Sequence, residues 1–227
     1  MTVIQIVHDH PDWLLCNKPH GLNFHNEDDE LGLVSLIRKQ LGTDNIWPVH
    51  RLDKLTSGLI LLAKSKESCS VLCELFAQRE IEKYYLAICP KTMKKKQGWI
   101  IGDMTKGRRG AYKLLASKDN PSITQFFSQS IGDGLRLCLL KPKTGKTHQL
   151  RVALKSLGSP IVGDQSYAGS KSDRLYLHAY AIKFTFQNVD FTFQQAPEHG
   201  ALFLQDSITT QLDVWGAPWL IEWPKGN

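Results

Sequence analysis

The chain has 227 residues, of which 42% are hydrophobic and 22% charged, with a net charge of +6. That balance suits a protein able to bury a sizeable core, and the alternation of apolar and polar residues from Met1 to His10 argues against a signal peptide or membrane span. Five scattered cysteines, Cys16, Cys69, Cys73, Cys89 and Cys138, argue against a disulfide framework or a paired zinc spacing and fit a reducing cytoplasm.

Taken in order, Ile4 to Val7 and Trp13 to Cys16 read as strands, with Pro11 and the aspartates between them favouring a turn. Asn17-Lys18-Pro19-His20-Gly21-Leu22 follows, its backbone shaped by Pro19 and Gly21. The run Glu27-Asp28-Asp29-Glu30 beside His25 invites a metal, but contiguous carboxylates in a loop rarely converge on one ion. No metal site is expected. Leu33, Leu36, Ile37 and Leu41 fall at helical spacing and predict an amphipathic helix over Leu33 to Leu41, ended by Gly42.

The run from His50 to Ala63 joins a charged cluster, the turn Thr56-Ser57-Gly58 and a continuous apolar stretch that reads as a strand buried on both faces. Such a strand holds the preceding loop rigidly, and Asp53 is the residue it presents. Asp53 is either a turn-capping aspartate or, between Arg51 and Lys54 with His50 nearby, an ionised carboxylate available as nucleophile or electrostatic group. Ser65 can cap a helix from Lys66 to Ala77 with Val71, Leu72, Leu75 and Phe76 facing the core. Cys69 and Cys73, one turn apart in it, read as packing. Lys83 to Ile88 is rich in strand formers, and Tyr85 by itself reads as a half-buried strand aromatic.

From Lys83 to Lys118 there are ten Lys/Arg against the single acid Asp103, interleaved with Tyr84, Tyr85, Trp99 and Tyr112. This suits a polyanion, with a solvated surface loop as the plainer alternative. Gln97 to Asn120, broken by Gly98, Gly102, Gly107 and Gly110, reads as loops or a loose hairpin. Ile123 to Gln129 and Leu135 to Leu140 then read as a hairpin. Lys141 to Thr147 is not a nucleotide-binding loop, because the required first glycine falls on Leu140. Thr147 can cap a helix from His148 to Leu157 with Leu150, Ala153, Leu154 and Leu157 buried and His148, Arg151 and Lys155 on a polar face. Ile182 to Phe193 suggests two strands, Ala201 to Leu212 a final helix, and Trp215, Trp219 and Trp223 a tail docked on the body. With no repeat and no linker, one domain spanning 1–227 is expected.

The His-Arg-Leu-Asp of residues 50–53, with Thr-Ser-Gly and the aliphatic run after it, resembles the signature of the RluA-type pseudouridine synthases. Asn17-Lys18-Pro19, Tyr85 of a Tyr-x-Ala strand, Lys143 to Arg151, Pro160 to Asp164 with Tyr167, and Leu175 to Ala179 resemble further family segments in the expected order. The resemblance covers most of residues 13 to 182. It implies an α+β catalytic domain with a mainly antiparallel mixed sheet flanked by helices and loops, and leaves no room before the first motif for the small RNA-binding domain of many relatives.

It also implies isomerisation of uridine in ribosomal or transfer RNA without a cofactor, by a cytoplasmic monomer. Asp53 would attack either carbon 6 of the base or the sugar carbon joined to it, Arg151 would pair with its carboxylate, and Tyr85 would stack on the uracil. His50, Arg51, Lys146 and His148 are the RNA-contacting candidates; Arg51 is read as the side chain that intrudes into the stack or as a second ion-pair partner of Asp53. Lys91, Lys94, Lys95, Lys96, Arg108 and Arg109 are predicted to meet phosphates. The competing readings are a non-catalytic RNA-binding module using residues 83–118 and, ranked last for want of a second carboxylate or metal ligands, a carboxylate-dependent hydrolase.

Overall fold

The structure, a computed structural model, describes residues 3–27 and 30–225, with Arg109 described by its backbone alone. The chain forms two compact units, Met1–Ile81 with His178–Ala196 and Glu82–Leu177 with Pro197–Asn227, a division that no linker composition announces. The first contributes β1 (Gln5–Asp9), β2 (Trp13–Lys18), α1 (Leu33–Leu41), β3 (Trp47–Pro48), β4 (Ser57–Ala63) and α2 (Lys66–Gln78). The second adds β5 (Glu82–Pro90), β6 (Gln97–Gly102), β7 (Met104–Lys106), β8 (Tyr112–Leu114), β9 (Ser122–Gly132), β10 (Leu135–Pro142) and α3 (Gln149–Ser156). The chain then forms β11 (Leu177–Phe186) and β12 (Val189–Gln194) in the first unit and α4 (Asp206–Trp215) in the second. The architecture is α+β and mainly antiparallel, as expected.

In the first unit β4 is the central strand, all seven of its residues buried, as a continuous apolar run dictates. It pairs antiparallel with β2 and β3 and parallel with β11, where Gly58 lies opposite Ala179. Gly58 has φ +110°, and a Cβ there would lie 2.3 Å from the Ala179 carbonyl oxygen. Gly58→Ala is therefore expected to destabilise the protein by at least about 2 kcal/mol, since backbone strain and a backbone clash add. A melting curve unchanged from wild type would refute that close approach.

Trp13, Leu15, Leu59, Leu61, Leu72, Phe184 and Phe186 form the core of this unit. Helix α2 starts where its sequence says: Ser65 Oγ accepts from Ser68 N–H at 3.0 Å while Ser68 Oγ accepts from Ser65 N–H at 3.2 Å. Val71, however, is 47% exposed rather than core-facing. It lies next to Leu72, whose row with Ser68, Leu75 and Phe76 forms the contact stripe, and the stripe is too narrow to include both.

In the second unit the sheet runs β5-β10-β9-β6, antiparallel throughout. The stretch expected to be loops or a loose hairpin is more ordered than that. Its first part, β6, pairs with β9 from Gln97↔Phe127 to Gly102↔Ser122. Gly102 marks a close backbone approach instead of a turn, since a Cβ there would lie 2.2 Å from the Leu115 carbonyl oxygen. The tryptophan tail docks as expected: Trp99 Nε1 and Gln125 Nε2 donate to the Pro224 carbonyl, and the Trp223 ring lies 5.8 Å from Tyr84 and 5.0 Å from Phe127. Helix α4 begins at Asp206, later than the apolar–polar mixture from Ala201 suggests.

Candidate functional site

The loop before β4 is fixed from several sides. Leu52 and Thr56 are buried, and Thr56 N–H closes a turn on the Asp53 carbonyl at 3.0 Å. His50 Nε2 accepts from Leu61 N–H at 2.9 Å, and its ring stacks on Phe76 of α2 with centroids 4.4 Å apart. The proton of the neutral ring therefore sits on Nδ1. His50, expected at the RNA, thus ties the loop to β4 and α2. Lys18, fully buried, donates to the carbonyls of Pro19 at 2.9 Å and Lys54 at 3.0 Å, and Gly21 N–H reaches the same Lys54 oxygen. Hence the Asn-Lys-Pro segment clamps the residue after Asp53. Arg51 is exposed, while the Asp53 side chain is half-buried.

Below this loop, Ser57 Oγ lies 2.8 Å from His178 Nδ1, and His178 Nε2 lies 2.8 Å from the Gln195 carbonyl. The carbonyl can only accept, so Nε2 carries the proton and Nδ1 accepts from Ser57. Lys54 pairs with Glu27 at 3.0 Å, and hydrogen bonds from Lys54 and then Asn23 hold Glu27 below its usual carboxylate range. Asp28 and Asp29 of the acidic run lie outside the described residues. Among the described residues no group of three or more His, Cys, Asp or Glu is placed to hold a metal.

In the second unit Arg151 is built into the interior, not onto a solvated helix face. Its Nε donates to Asp164 Oδ2 at 2.8 Å and its Nη2 to Oδ1 at 2.7 Å, the two side chains being only 5% and 1% exposed. The Tyr167 ring covers the guanidinium, with Cζ 4.9 Å from the ring centroid. A planar cation is thus fixed both in its plane and on one face.

Helix α3 starts one residue later than expected and without a Thr147 cap. His148, at φ 57°, takes the left-handed conformation before it. The buried Gln149 side chain does the closing, accepting from Thr144 Oγ1 at 2.7 Å and Lys146 N–H at 3.0 Å, and donating to Ile123 O and Thr124 Oγ1. Lys146 Nζ donates to the Asn120 carbonyl, and His148 Nδ1 lies 2.9 Å from Tyr167 Oη.

Tyr85 lies half-buried on β5, opposite Leu140 of β10. Two residues before it, hence on the same side of the strand, burial and then the charge of Lys143 push Lys83 down to about 8. On the other side the buried Tyr84 hydrogen-bonds Glu82, and Lys141 Nζ stands 5.1 Å from the Tyr84 ring centroid while pairing with Glu82 at 2.7 Å.

The family model described as RNA pseudouridylate synthase matches residues 12–156. The chain belongs to this family. An uncharacterized RNA pseudouridine synthase of Haemophilus influenzae is 47% identical over 214 residues, 93% of this chain and 96% of that one. A tRNA pseudouridine synthase C of Vibrio parahaemolyticus is 31% identical, across 85% of this chain and 93% of that one. The structure of human RNA Pseudouridylate Synthase Domain Containing 1 superposes with a TM-score of 0.75 at 23% identity, covering 98% of this chain and 97% of that one, which establishes the same fold.

As a pseudouridylate synthase the chain is an enzyme that isomerises uridine in RNA. Its sequence conceals two residues that shape the site, Lys18 and Gln149, because each is a polar residue whose partners lie far along the chain or in another element. Asp164 was visible only as part of a motif. Nothing in the spacing of thirteen residues between it and Arg151 announces a fork.

Proposed function

We propose that this enzyme converts specific uridines of structured RNA, transfer or ribosomal, to pseudouridine with Asp53 as nucleophile. The observation that carries this reading is the single family match over residues 12–156, which takes in Asp53, Tyr85 and Arg151 together. Transfer RNA gains support from a relative named for it that aligns over 93% of its own length. The uridine N1–C1′ bond breaks, the uracil turns, a C5–C1′ bond forms, and the C5 proton leaves while N1 takes one up. Asp53 forms a transient bond to the sugar carbon or to carbon 6 and is released unchanged. Tyr85 stacks on the uracil, and Arg151 supplies the fixed planar cation of the reaction. No metal or cofactor enters this scheme, and the enzyme works in the cytoplasm as a monomer.

Mapping pseudouridines in transfer and ribosomal RNA from cells lacking the protein tests the assignment. At least one uridine loses its modification there and regains it when the wild-type protein is restored, whereas an unchanged map overturns the reading. Arg151→Lys is expected to lower turnover more than it lowers the melting temperature, because lysine keeps the charge but loses the planar fork. Equal turnover would make Arg151 a purely structural cation.

Affinity is proposed to come from phosphates met by Lys91, Lys94, Lys95, Lys96 and Arg108, all exposed, together with Arg109. Neutralising them together should flatten the plot of log affinity against log salt by roughly 0.7 to 0.9 per lost contact. Dissociation constants measured at several salt concentrations check this, and an unchanged slope would return the stretch to a solvated surface.

A further inference from the structure

The β7–β8 hairpin pairs from Met104↔Leu114 to Lys106↔Tyr112 and carries Lys106, Arg108 and Lys113 on exposed positions. Its loop is closed by Gly107 N–H on the Ala111 carbonyl at 2.7 Å. Just past the loop, Tyr112 N–H donates to Tyr167 Oη at 2.9 Å, and the Tyr112 ring meets His148 edge-on at 5.8 Å. Tyr167 Oη also lies 2.9 Å from His148 Nδ1. Tyr167 Oη thus accepts from Tyr112 N–H while also engaging His148 Nδ1.

The same tyrosine is tied to Arg151 at its other end. Tyr167 N–H bonds the Asp164 carbonyl at 3.1 Å, within the tight turn that also brings Gly169 N–H to that oxygen at 2.8 Å. The turn admits no side chain at Gly169, where a Cβ would lie 2.1 Å from the Ile161 carbonyl oxygen. One short rigid segment therefore supplies both the carboxylate that grips the edge of the guanidinium and the ring that covers its face, and the far end of that ring holds the basic hairpin. Tyr167 is itself only 5% exposed, so its role is internal.

We propose that Tyr167 is a positioning residue coupling the basic β7–β8 hairpin to Arg151, so that RNA held by Lys106, Arg108 and Lys113 sets the seat of the arginine. The coupling to turnover rests on the function proposed above; the tether itself does not. Tyr167→Phe cuts the tether and keeps the ring over the guanidinium, whereas Tyr167→Leu loses both.

The test combines two readouts on the full chain. Tritium release from RNA carrying tritium at uridine C5, isolated from cells lacking the protein, gives kcat and KM. Limited trypsin digestion follows cleavage after Lys106, Arg108 and Lys113. Tyr167→Phe is expected to cleave faster in the hairpin and to raise KM about three- to tenfold, the size of one or two lost neutral hydrogen bonds, with a smaller change in kcat. Tyr167→Leu is expected to lose at least about tenfold in kcat as well. Unchanged hairpin cleavage in Tyr167→Phe overturns the tether, and equal falls in kcat in both variants overturn the division of roles. No release by the wild-type protein from any RNA overturns the pseudouridine assignment and leaves the trypsin result to decide the tether.

Discussion

Asp53→Asn is expected to lower uridine isomerisation by at least about a thousandfold, because the amide keeps the shape of the side chain but cannot form the covalent bond to base or sugar. The substitution is mild for the fold. The turn at this residue is closed through the Asp53 backbone carbonyl, which Thr56 N–H reaches at 3.0 Å, and the loop is clamped by His50, Lys18 and the buried Leu52 rather than by the carboxylate alone. RNA affinity should stay within about threefold of wild type, since phosphate contacts supply most of it. Tritium release and a binding titration on the same preparation check both halves. Turnover near wild type would remove Asp53 from the chemistry, and collapse of binding together with turnover would indicate that the loop had failed to fold.

Local physics made some elements legible. The β4 strand was readable because an unbroken apolar run admits one environment, and the start of α2 because Ser65 and Ser68 satisfy each other within a single turn. The apolar stripe of α3 was legible too, but the burial of its polar side chains was not, for the complementary reason. A polar residue in a helical pattern counts as outward-facing, yet Gln149 and Arg151 find partners at Ile123, Thr124, Thr144 and Asp164, none of them on the helix. Lys18 was hidden the same way, its ammonium satisfied by a carbonyl thirty-six residues on. Glycines misled in β6, where Gly102 admits a neighbouring backbone instead of turning the chain. Tyr85 and Arg151 stood out only through the family pattern, because composition and spacing alone fitted a strand tyrosine and a solvated arginine, whereas Asp53 was also marked by its cationic neighbours and the buried strand behind it.

Asp164→Ala should produce the largest loss of stability of any single change around Arg151. The fork of 2.8 and 2.7 Å joins side chains that are 5% and 1% exposed, so deleting the carboxylate takes both of these hydrogen bonds from a buried guanidinium that cannot lose its charge. Breaking a buried pair from one side costs about 3–5 kcal/mol, which for a chain of this size lowers the melting temperature by roughly 10 °C. Turnover falls too, since an arginine without its carboxylate no longer holds one orientation under the Tyr167 ring. Stability and activity separate in the double variant Arg151→Met with Asp164→Leu. Replacing both charges with apolar groups removes the desolvation penalty along with the attraction, so most of the lost melting temperature returns. Activity does not return, because the planar donor is gone. Thermal melts and tritium release on wild type, Asp164→Ala and the double variant form the test. Recovery of turnover in the double variant would confine the pair to packing, and failure to recover stability would mean that the fork carries more of the fold than a buried ion pair does.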